Sequence, residues 1–129
     1  SMHALRMVSL VLQAAFFIAA GVMHFVKPKM FIDIVPPYLP AAAALVAISG
    51  VAEIAGGVGL LIPQLRVAAG WGLLALLVAV FPANVHMAQN KLPFDGKPVP
   101  ELMLWLRLPL QLLLMAWVWW AAVKRPGAG

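Results

Sequence analysis

The sequence predicts an all-α membrane protein, an antiparallel four-helix transmembrane bundle. Hydrophobic residues make up 64% of the chain and charged residues only 10%, whereas a soluble domain carries about 25% charged residues. Four apolar stretches each reach the ~20 residues with which a helix crosses the hydrocarbon layer. These stretches lack the alternation of apolar and polar residues that marks strands, and lipid cannot satisfy open backbone groups. Helices are therefore the expected way across the bilayer.

The four predicted spans occupy most of the chain and leave no room for a soluble module. They cover approximately residues 4–26, 41–62, 65–87 and 102–123. The first apolar run is longer than the core of a secretory signal, which has about 7–15 residues, so we expect it to remain as a membrane span. We interpret residues 1–129 as a single transmembrane domain.

The three connections between the spans differ in length and character. In the first, residues 27–40, apolar side chains recur at helical spacing, which predicts a short interfacial helix or turn after the first span. The second, around Pro63, is too short for anything but a tight link between neighbouring helices. The third, residues 91–100, is a proline-rich loop with a turn signal at Asp95-Gly96.

Small residues in the second span predict close contact between helix backbones. Ala52 and Gly56 are four residues apart, as are Ala55 and Gly59, so each pair shares one side of a helix. Small residues at this spacing let two membrane helices approach closely. We therefore expect the second span to pack tightly against a neighbour.

Composition excludes or disfavours several classes of chemistry. The chain has no cysteine, which rules out thiolate catalysis, disulfide exchange and cysteine-ligated metals. Lys and Arg residues cluster at the ends of the spans, where basic residues commonly flank membrane helices. The excess of basic over acidic residues therefore predicts no nucleic-acid partner. Haem ligation by His24 and His86 lacks the support of a paired-histidine stripe. We predict no metal site.

Six polar side chains inside the spans are the candidate site residues. Polar groups are costly in hydrocarbon, so they tend to face the bundle interior and to mark function. If consecutive spans run antiparallel, all six lie in the half of the bilayer that faces residues 27–40 and 91–100. This placement predicts one ligand-binding pocket that opens toward these loops. Since His86 lies about 200° from Asn84 around a regular helix, both cannot face inward, and we favour Asn84. The predicted ligand-binding residues are His24, Ser49, Glu53, Asn84, Arg107 and Gln111.

The pairing of these side chains leaves alternatives open. Glu53 and Arg107 are expected to pair directly, through Gln111 or through water. This ion pair either belongs to a functional site or only fixes the register of the helices. In the same way, His24 is either a ligand-binding residue or an interfacial hydrogen-bonding one. Asn84 and Gln111 either hold a ligand or simply cross-link helices.

Five motifs, taken together, extend over nearly the whole chain. They are G-V-M-H-F-V-K-P at 21–28, I-V-P-P-Y-L-P at 34–40, S-G-V-A-E-I-A-G-G at 49–57, F-P-A-N at 81–84 and W-L-R-L-P-L-Q at 105–111. In sequence and order they resemble the DoxX-like family of small four-helix integral membrane proteins. Members of that family include subunits associated with thiosulfate:quinone oxidoreductase, with thiol- or catechol-stress operons, and with the assembly or trafficking of other membrane proteins. The resemblance implies that the family's polar positions correspond to His24, Glu53, Asn84, Arg107 and Gln111.

Two functions are consistent with these features. The first is a redox-associated protein that binds a quinone or similar small amphiphile, with Arg107 and Gln111 holding a carbonyl or anion and Glu53 handling a proton as the candidate catalytic residue. No cofactor other than such a quinone is evident, so the chain is at most an accessory or quinone-linked component of an oxidoreductase. The alternative is a non-catalytic assembly factor or chaperone for a partner membrane protein. The predicted partners are the lipid bilayer, a membrane or redox partner protein, and further copies of the chain.

We predict a multi-pass protein of the bacterial inner membrane with both termini cytoplasmic. Lys plus Arg residues are equally numerous on the two sides, and that count normally decides orientation. However, Asp33, Asp95 and Glu101 all lie on the side of the long loops, which leaves more net positive charge beside the termini. A reporter that works only in the cytoplasm should therefore be active when fused after Gly129. Activity restricted to a reporter that works outside the cytoplasm would overturn this orientation.

Overall fold

The computed structural model describes residues 1–125, and every regular element in that range is a helix. The helices are α1 (Met2–Val26), α2 (Pro28–Ile32), α3 (Ala42–Leu61), α4 (Arg66–Gln89), α5 (Glu101–Val118) and a π-helix (Trp119–Val123) that continues α5. No strand occurs within residues 1–125, where an isolated β-bridge joins Phe94 to Lys97 in the third connection.

Four of these helices are long and apolar enough to cross a membrane, namely α1, α3, α4, and α5 together with its π-helical end. The all-α class predicted from the sequence is thereby confirmed, as are four helices long and apolar enough to cross a membrane. α2 lies in the first connection, where a short helix or turn is predicted. Pro28 occupies its first position, where the missing N–H costs little because that group has no intrahelical partner.

α1 and α3 form a tightly packed pair because glycines, which have no side chain, lie at their interface. A Cβ atom on Gly21 would lie 2.6 Å from the carbonyl oxygen of Gly50, and one on Gly57 would lie 2.8 Å from Cγ1 of Ile18. The two backbones are therefore in contact. Small residues in the second span predict such an approach. Gly50 and Gly57 make it with α1, whereas Gly56 and Gly59 of the predicted pairs face α4.

α3 and α4 are also in close contact near the short connection that joins them. A Cβ atom on Gly56 would lie 2.5 Å from Cδ2 of Leu73, and one on Gly59 would lie 2.7 Å from Cβ of Ala69. The main hydrophobic core lies at this end of the molecule and draws on all four long helices. Its buried members are Leu10, Phe17, Leu60, Leu73, Leu77, Val118, Ala121 and Ala122.

At the other end of the molecule the first and third connections come together. Nζ of Lys27 lies 3.1 Å from Oδ2 of Asp95, which ties the end of α1 to the loop between α4 and α5. A second, smaller hydrophobic core lies at this end and consists of Ile34, Met87, Ala88 and Leu104. By contrast, α1 meets the last helix chiefly at the π-helical end, where Nε2 of Gln13 donates to the carbonyl oxygen of Trp117 over 3.3 Å.

Replacement of Gly21 by Ala should destabilise the protein, since the added methyl group would collide with the backbone of α3. Overpacking of this kind costs about 1–3 kcal/mol. Gly72→Ala is the matched control, because a Cβ atom there meets nothing within 4 Å, and alanine in place of a helical glycine stabilises by up to ~1 kcal/mol. Thermal unfolding in detergent, followed by circular dichroism, measures both. Equal effects of the two changes would contradict a backbone contact at Gly21.

Candidate functional site

A cavity of about 720 Å³ lies between the long helices, at the end where the first and third connections meet. Its lining comes from all five α-helices and from these connections, and it is mostly apolar. The volume falls within the ~300–1,000 Å³ of small-molecule sites. The lining includes all six sequence-predicted site residues, which are His24, Ser49, Glu53, Asn84, Arg107 and Gln111.

The first polar group joins α1 to α3 and consists of His24, Ser49 and Glu53. Nε2 of His24 lies 3.4 Å from Oε1 of Glu53, and the Ser49 hydroxyl donates to the same oxygen over 3.5 Å. Nδ1 of His24 lies 2.7 Å from the carbonyl oxygen of Ala20. Because a carbonyl oxygen only accepts, Nδ1 carries a proton and Nε2 faces Glu53. The imidazole and carboxyl groups can therefore share one further proton between them.

The close packing of α1 and α3 explains why these two ionisable side chains meet. A Cβ atom on Gly50 would lie 2.9 Å from Cβ of His24, and one on Gly21 would lie 3.1 Å from the backbone nitrogen of Ile54, the residue after Glu53. His24 therefore lies level with Gly50 of α3, and Glu53 lies about one helical turn further along α3. Their side chains are long enough to close that gap.

Two phenylalanine rings, which we call the aromatic roof, cover the cavity at the loop end. Phe31 of α2 stacks on the His24 ring, with ring centroids 3.9 Å apart and planes inclined by 16°. Phe94 of the third connection meets Phe31 edge to face at a centroid distance of 5.8 Å. The guanidinium carbon of Arg107 lies 6.0 Å from the centroid of Phe94. The roof therefore links the two sides of the cavity.

The second polar group joins α4 to α5 and consists of Asn84, Arg107 and Gln111. Gln111 donates from Nε2 to the carbonyl oxygen of Leu77 and accepts from Nδ2 of Asn84, both over 2.6 Å. Nη2 of Arg107 donates to Oδ1 of Asn84 over 3.4 Å, and Nη1 lies 3.0 Å from the sulfur of Met87. The partners of the guanidinium group are thus neutral.

The direct Glu53–Arg107 ion pair predicted from the sequence is wrong. Among residues 1–125, the ion-pair partner within 4.0 Å of the Glu53 carboxylate is His24, and no carboxylate lies that close to Arg107. The predicted bridge through Gln111 is wrong as well, because its amide bonds to Asn84 and a backbone carbonyl. Glu53 belongs to the α1–α3 pair and Arg107 to the α4–α5 pair. Each side chain contacts a residue on the other helix of its own pair. A bridge through water stays a prediction.

Asn84 rather than His86 contributes to the cavity lining, as the helical spacing predicts. Nδ1 of His86 instead lies 3.0 Å from the side-chain amide nitrogen of Asn90, one turn further along α4. The sequence does not predict the aromatic roof. Phe31 belongs to the apolar stripe of the first connection, but only the path of that connection brings its ring onto His24. Nothing in the sequence distinguishes Phe94 except its position beside a predicted turn.

The cavity combines two chemical capabilities. One wall carries hydrogen-bond donors and a positive charge, and the other carries a pair that can accept and release a proton. Within residues 1–125, no group of three or more His, Asp or Glu side chains is placed to hold a metal ion. The arrangement suits an uncharged or anionic group with oxygen acceptors, held against apolar walls.

Together, the helices and the cavity define a small all-helical protein with four helices able to cross a membrane and a mostly apolar cavity that holds two polar groups between them. Residues 13–122 match the model of a family described as a domain of unknown function, DUF8561. The match covers most of the chain, and the protein belongs to that family. No curated protein and no solved structure matches it. The resemblance to DoxX-like proteins stays a prediction.

A double-mutant cycle should show that Glu53 couples to His24 more strongly than to Arg107. Side chains in contact have coupling free energies of about 0.5–3 kcal/mol, whereas residues without shared partners are additive to about 0.3–0.5 kcal/mol. We therefore expect measurable coupling between Glu53→Gln and His24→Leu, and near-additivity between Glu53→Gln and Arg107→Leu. Free energies of unfolding in mixed micelles provide the measurement. A larger coupling with Arg107 would contradict the separation of the two polar groups.

Proposed function

We propose that this protein is a DoxX-like, multi-pass protein of the bacterial inner membrane that binds a quinone or similar small amphiphile and serves a redox system. The observation that carries the proposal is the cavity, in which apolar walls hold two separate polar groups. Apolar clefts with a few placed polar side chains are the usual form of small-molecule sites.

We further propose that the four long helices run antiparallel, with both termini cytoplasmic and α2 in the membrane interface. The cavity then lies in the half of the bilayer that faces residues 27–40 and 91–100. Exposed ion pairs at that end support this placement, since paired charges of this kind suit a bilayer surface and not its interior. They are Lys27–Asp95 at 3.1 Å, Lys29–Asp33 at 2.9 Å and Lys91–Glu101 at 3.7 Å.

The head of the ligand is held by donors on the wall formed by α4 and α5. Arg107 lacks a carboxylate partner within residues 1–125, so its positive charge is available to a carbonyl or anionic oxygen. The amides of Gln111 and Asn84 each donate one bond within the protein, and each retains a second hydrogen for a ligand. A quinone carries carbonyl groups on opposite sides of its ring and can therefore contact both walls.

The His24–Glu53 pair would supply a proton to the bound head. Reduction of a quinone to a quinol takes two electrons and two protons; the pair would deliver one proton and water the other. In this proposal the electrons come from a membrane-associated redox partner protein, and the chain itself is an accessory or quinone-linked component. Glu53 is the residue that handles the proton at the ligand. His24 pairs with it and lines the cavity.

The alternative function is a non-catalytic assembly factor, or a chaperone for a partner membrane protein. In that case the polar residues would only fix the bundle, and the exposed apolar faces of the helices would meet a partner or another copy of the chain. Such a role needs a sealed and fully paired polar cluster. A cavity of about 720 Å³ beside a guanidinium group with neutral partners favours the ligand-binding function instead.

Addition of a quinone should raise the thermal stability of the purified protein. A ligand at 100 times its dissociation constant stabilises the folded state by about 2.7 kcal/mol. We expect Arg107→Gln and Gln111→Leu to abolish most of this shift, because they remove donors to the head. Glu53→Gln should retain binding but slow quinol formation by a coupled electron donor. The melting temperature with and without quinone, and the rate of quinol formation, are the two measurements.

Gln64→Leu is the matched control for Gln111→Leu, since Gln64 lies exposed in the second connection, far along the chain from the cavity lining. It should leave the quinone-induced shift unchanged. If quinones, quinols and related amphiphiles produce no shift in the unaltered protein, the ligand-binding function is wrong and the assembly function takes its place.

A further inference from the structure

The facing sides of α3 and α4 are in contact at one end of the cavity and separated at the other. Near the second connection, Gly56 accommodates Leu73 directly. Further from that connection, Ser49 and Leu45 lie on the same side of α3 as Gly56, and both line the cavity. On α4, the residues on the same side as Leu73 also line the cavity, and they are Leu76, Val80 and Ala83. The two helices therefore diverge from the Gly56–Leu73 contact toward the loop end.

The edge of this gap is open to the outside of the molecule. Ile48 on α3 lines the cavity although 65% of its surface is exposed, and Leu45, one turn away, also lines it and is exposed to 38%. On α4 the corresponding residue is Ala79, which is exposed and lines the cavity as well. A residue that both lines a cavity and is exposed marks its opening. This opening is bordered by aliphatic side chains.

The loop end, by contrast, is partly covered. The aromatic roof of Phe31 and Phe94 lies over His24, and the Lys27–Asp95 ion pair ties the two connections together. Leu39 is the lining residue of the first connection that is exposed, to 38%, so these contacts narrow the entrance through the loops that the sequence predicts. An aliphatic opening between two membrane-crossing helices faces acyl chains, and water would gain few hydrogen bonds there.

We propose that the ligand is an amphiphile with a long alkyl or isoprenoid tail, and that this tail leaves the cavity sideways between α3 and α4 into the bilayer. This inference rests on the proposed function and specifies the class of ligand. The head lies between the two polar groups, and the tail passes the small side chain of Ala79 opposite Ile48. Ala79 is thus the residue that determines whether a tailed ligand fits.

A second exposed edge of the cavity lies between α1 and α5, but larger side chains occupy it. Phe16 and Leu110 both line the cavity there, with 54% and 56% of their surfaces exposed. An aromatic ring and a branched side chain leave less room for a tail than the single methyl group of Ala79. Substitution at Leu110 therefore provides a test of the alternative exit.

The first experiment compares two quinones that share one head, one with a ten-carbon alkyl tail and one with a methyl group in its place. The tail lies among acyl chains in both the free and the bound state, so its contribution to affinity depends on whether it fits the opening. Ala79→Phe should fill the opening and weaken binding of the tailed quinone by at least about tenfold, because overpacking costs about 1–3 kcal/mol, while the tail-less quinone binds as before. Titration of the protein in nanodiscs measures both affinities.

Ala75→Phe is the matched control, because Ala75 is exposed on the same helix one turn away and does not line the cavity. It should change neither affinity. If Ala79→Phe leaves the tailed quinone unaffected, or if Leu110→Trp rather than Ala79→Phe weakens the tailed quinone selectively, the exit between α3 and α4 is wrong. If neither quinone binds the unaltered protein, the proposed function itself has failed.

A second experiment tests the opening without relying on quinones. The protein is placed in nanodiscs of a phosphatidylcholine that carries a photoreactive diazirine in its acyl chain, and labelled residues are mapped by mass spectrometry after illumination. We expect labels at the cavity-lining residues Leu76 and Val80, and their loss in Ala79→Phe. Labels confined to outward-facing residues such as Val78 would overturn the lateral opening whether or not a quinone binds.

Discussion

The site depends on the contact between the backbones of α1 and α3. Gly21 and Gly50 allow the two helices to touch, and this approach brings the side chain of His24 within reach of Glu53. A larger residue at either glycine would push the helices apart and separate the two ionisable groups. A contact made by backbone and small residues thus sets the geometry of the His24–Glu53 pair. The pairing also limits the cost of holding a carboxyl group among membrane-crossing helices, where a lone charge is expensive.

α4 and α5 form the second half of the molecule. Hydrogen bonds join them beside the cavity, and Gly70 packs against Ala122 at the π-helical end. Asn84, Gln111 and the carbonyl oxygen of Leu77 form a continuous chain of bonds between the two helices. Because each helix pair satisfies most of its polar groups internally, the pairs do not need to meet at the loop end. They are held together at the opposite end by the hydrophobic core. The cavity is the space that this arrangement leaves open.

Much of the candidate site could be predicted from the sequence, and its pairing could not. The position of each polar residue along its helix follows from the rise per residue, and the side of the helix follows from its periodicity. These two quantities suffice to place Glu53 and Arg107 around one pocket. They do not reveal which neighbour each side chain reaches, because that depends on how helices are arranged around the bundle. Glu53 therefore pairs with His24 on α1, and the guanidinium group of Arg107 points to Asn84 and Met87 on α4.

The sequence by itself determined the helical class, the number of helices able to cross a membrane and the position of each polar group along its helix. These properties are local, since hydropathy and helical rise act along one chain segment at a time. Only the tertiary structure decided the partner of each polar side chain, the aromatic roof and the divergence of α3 from α4. Those features arise from distances between segments that are remote in the chain. Such distances depend on side-chain volumes at the contacts, where Gly56 against Leu73 closes one end and leaves the other open.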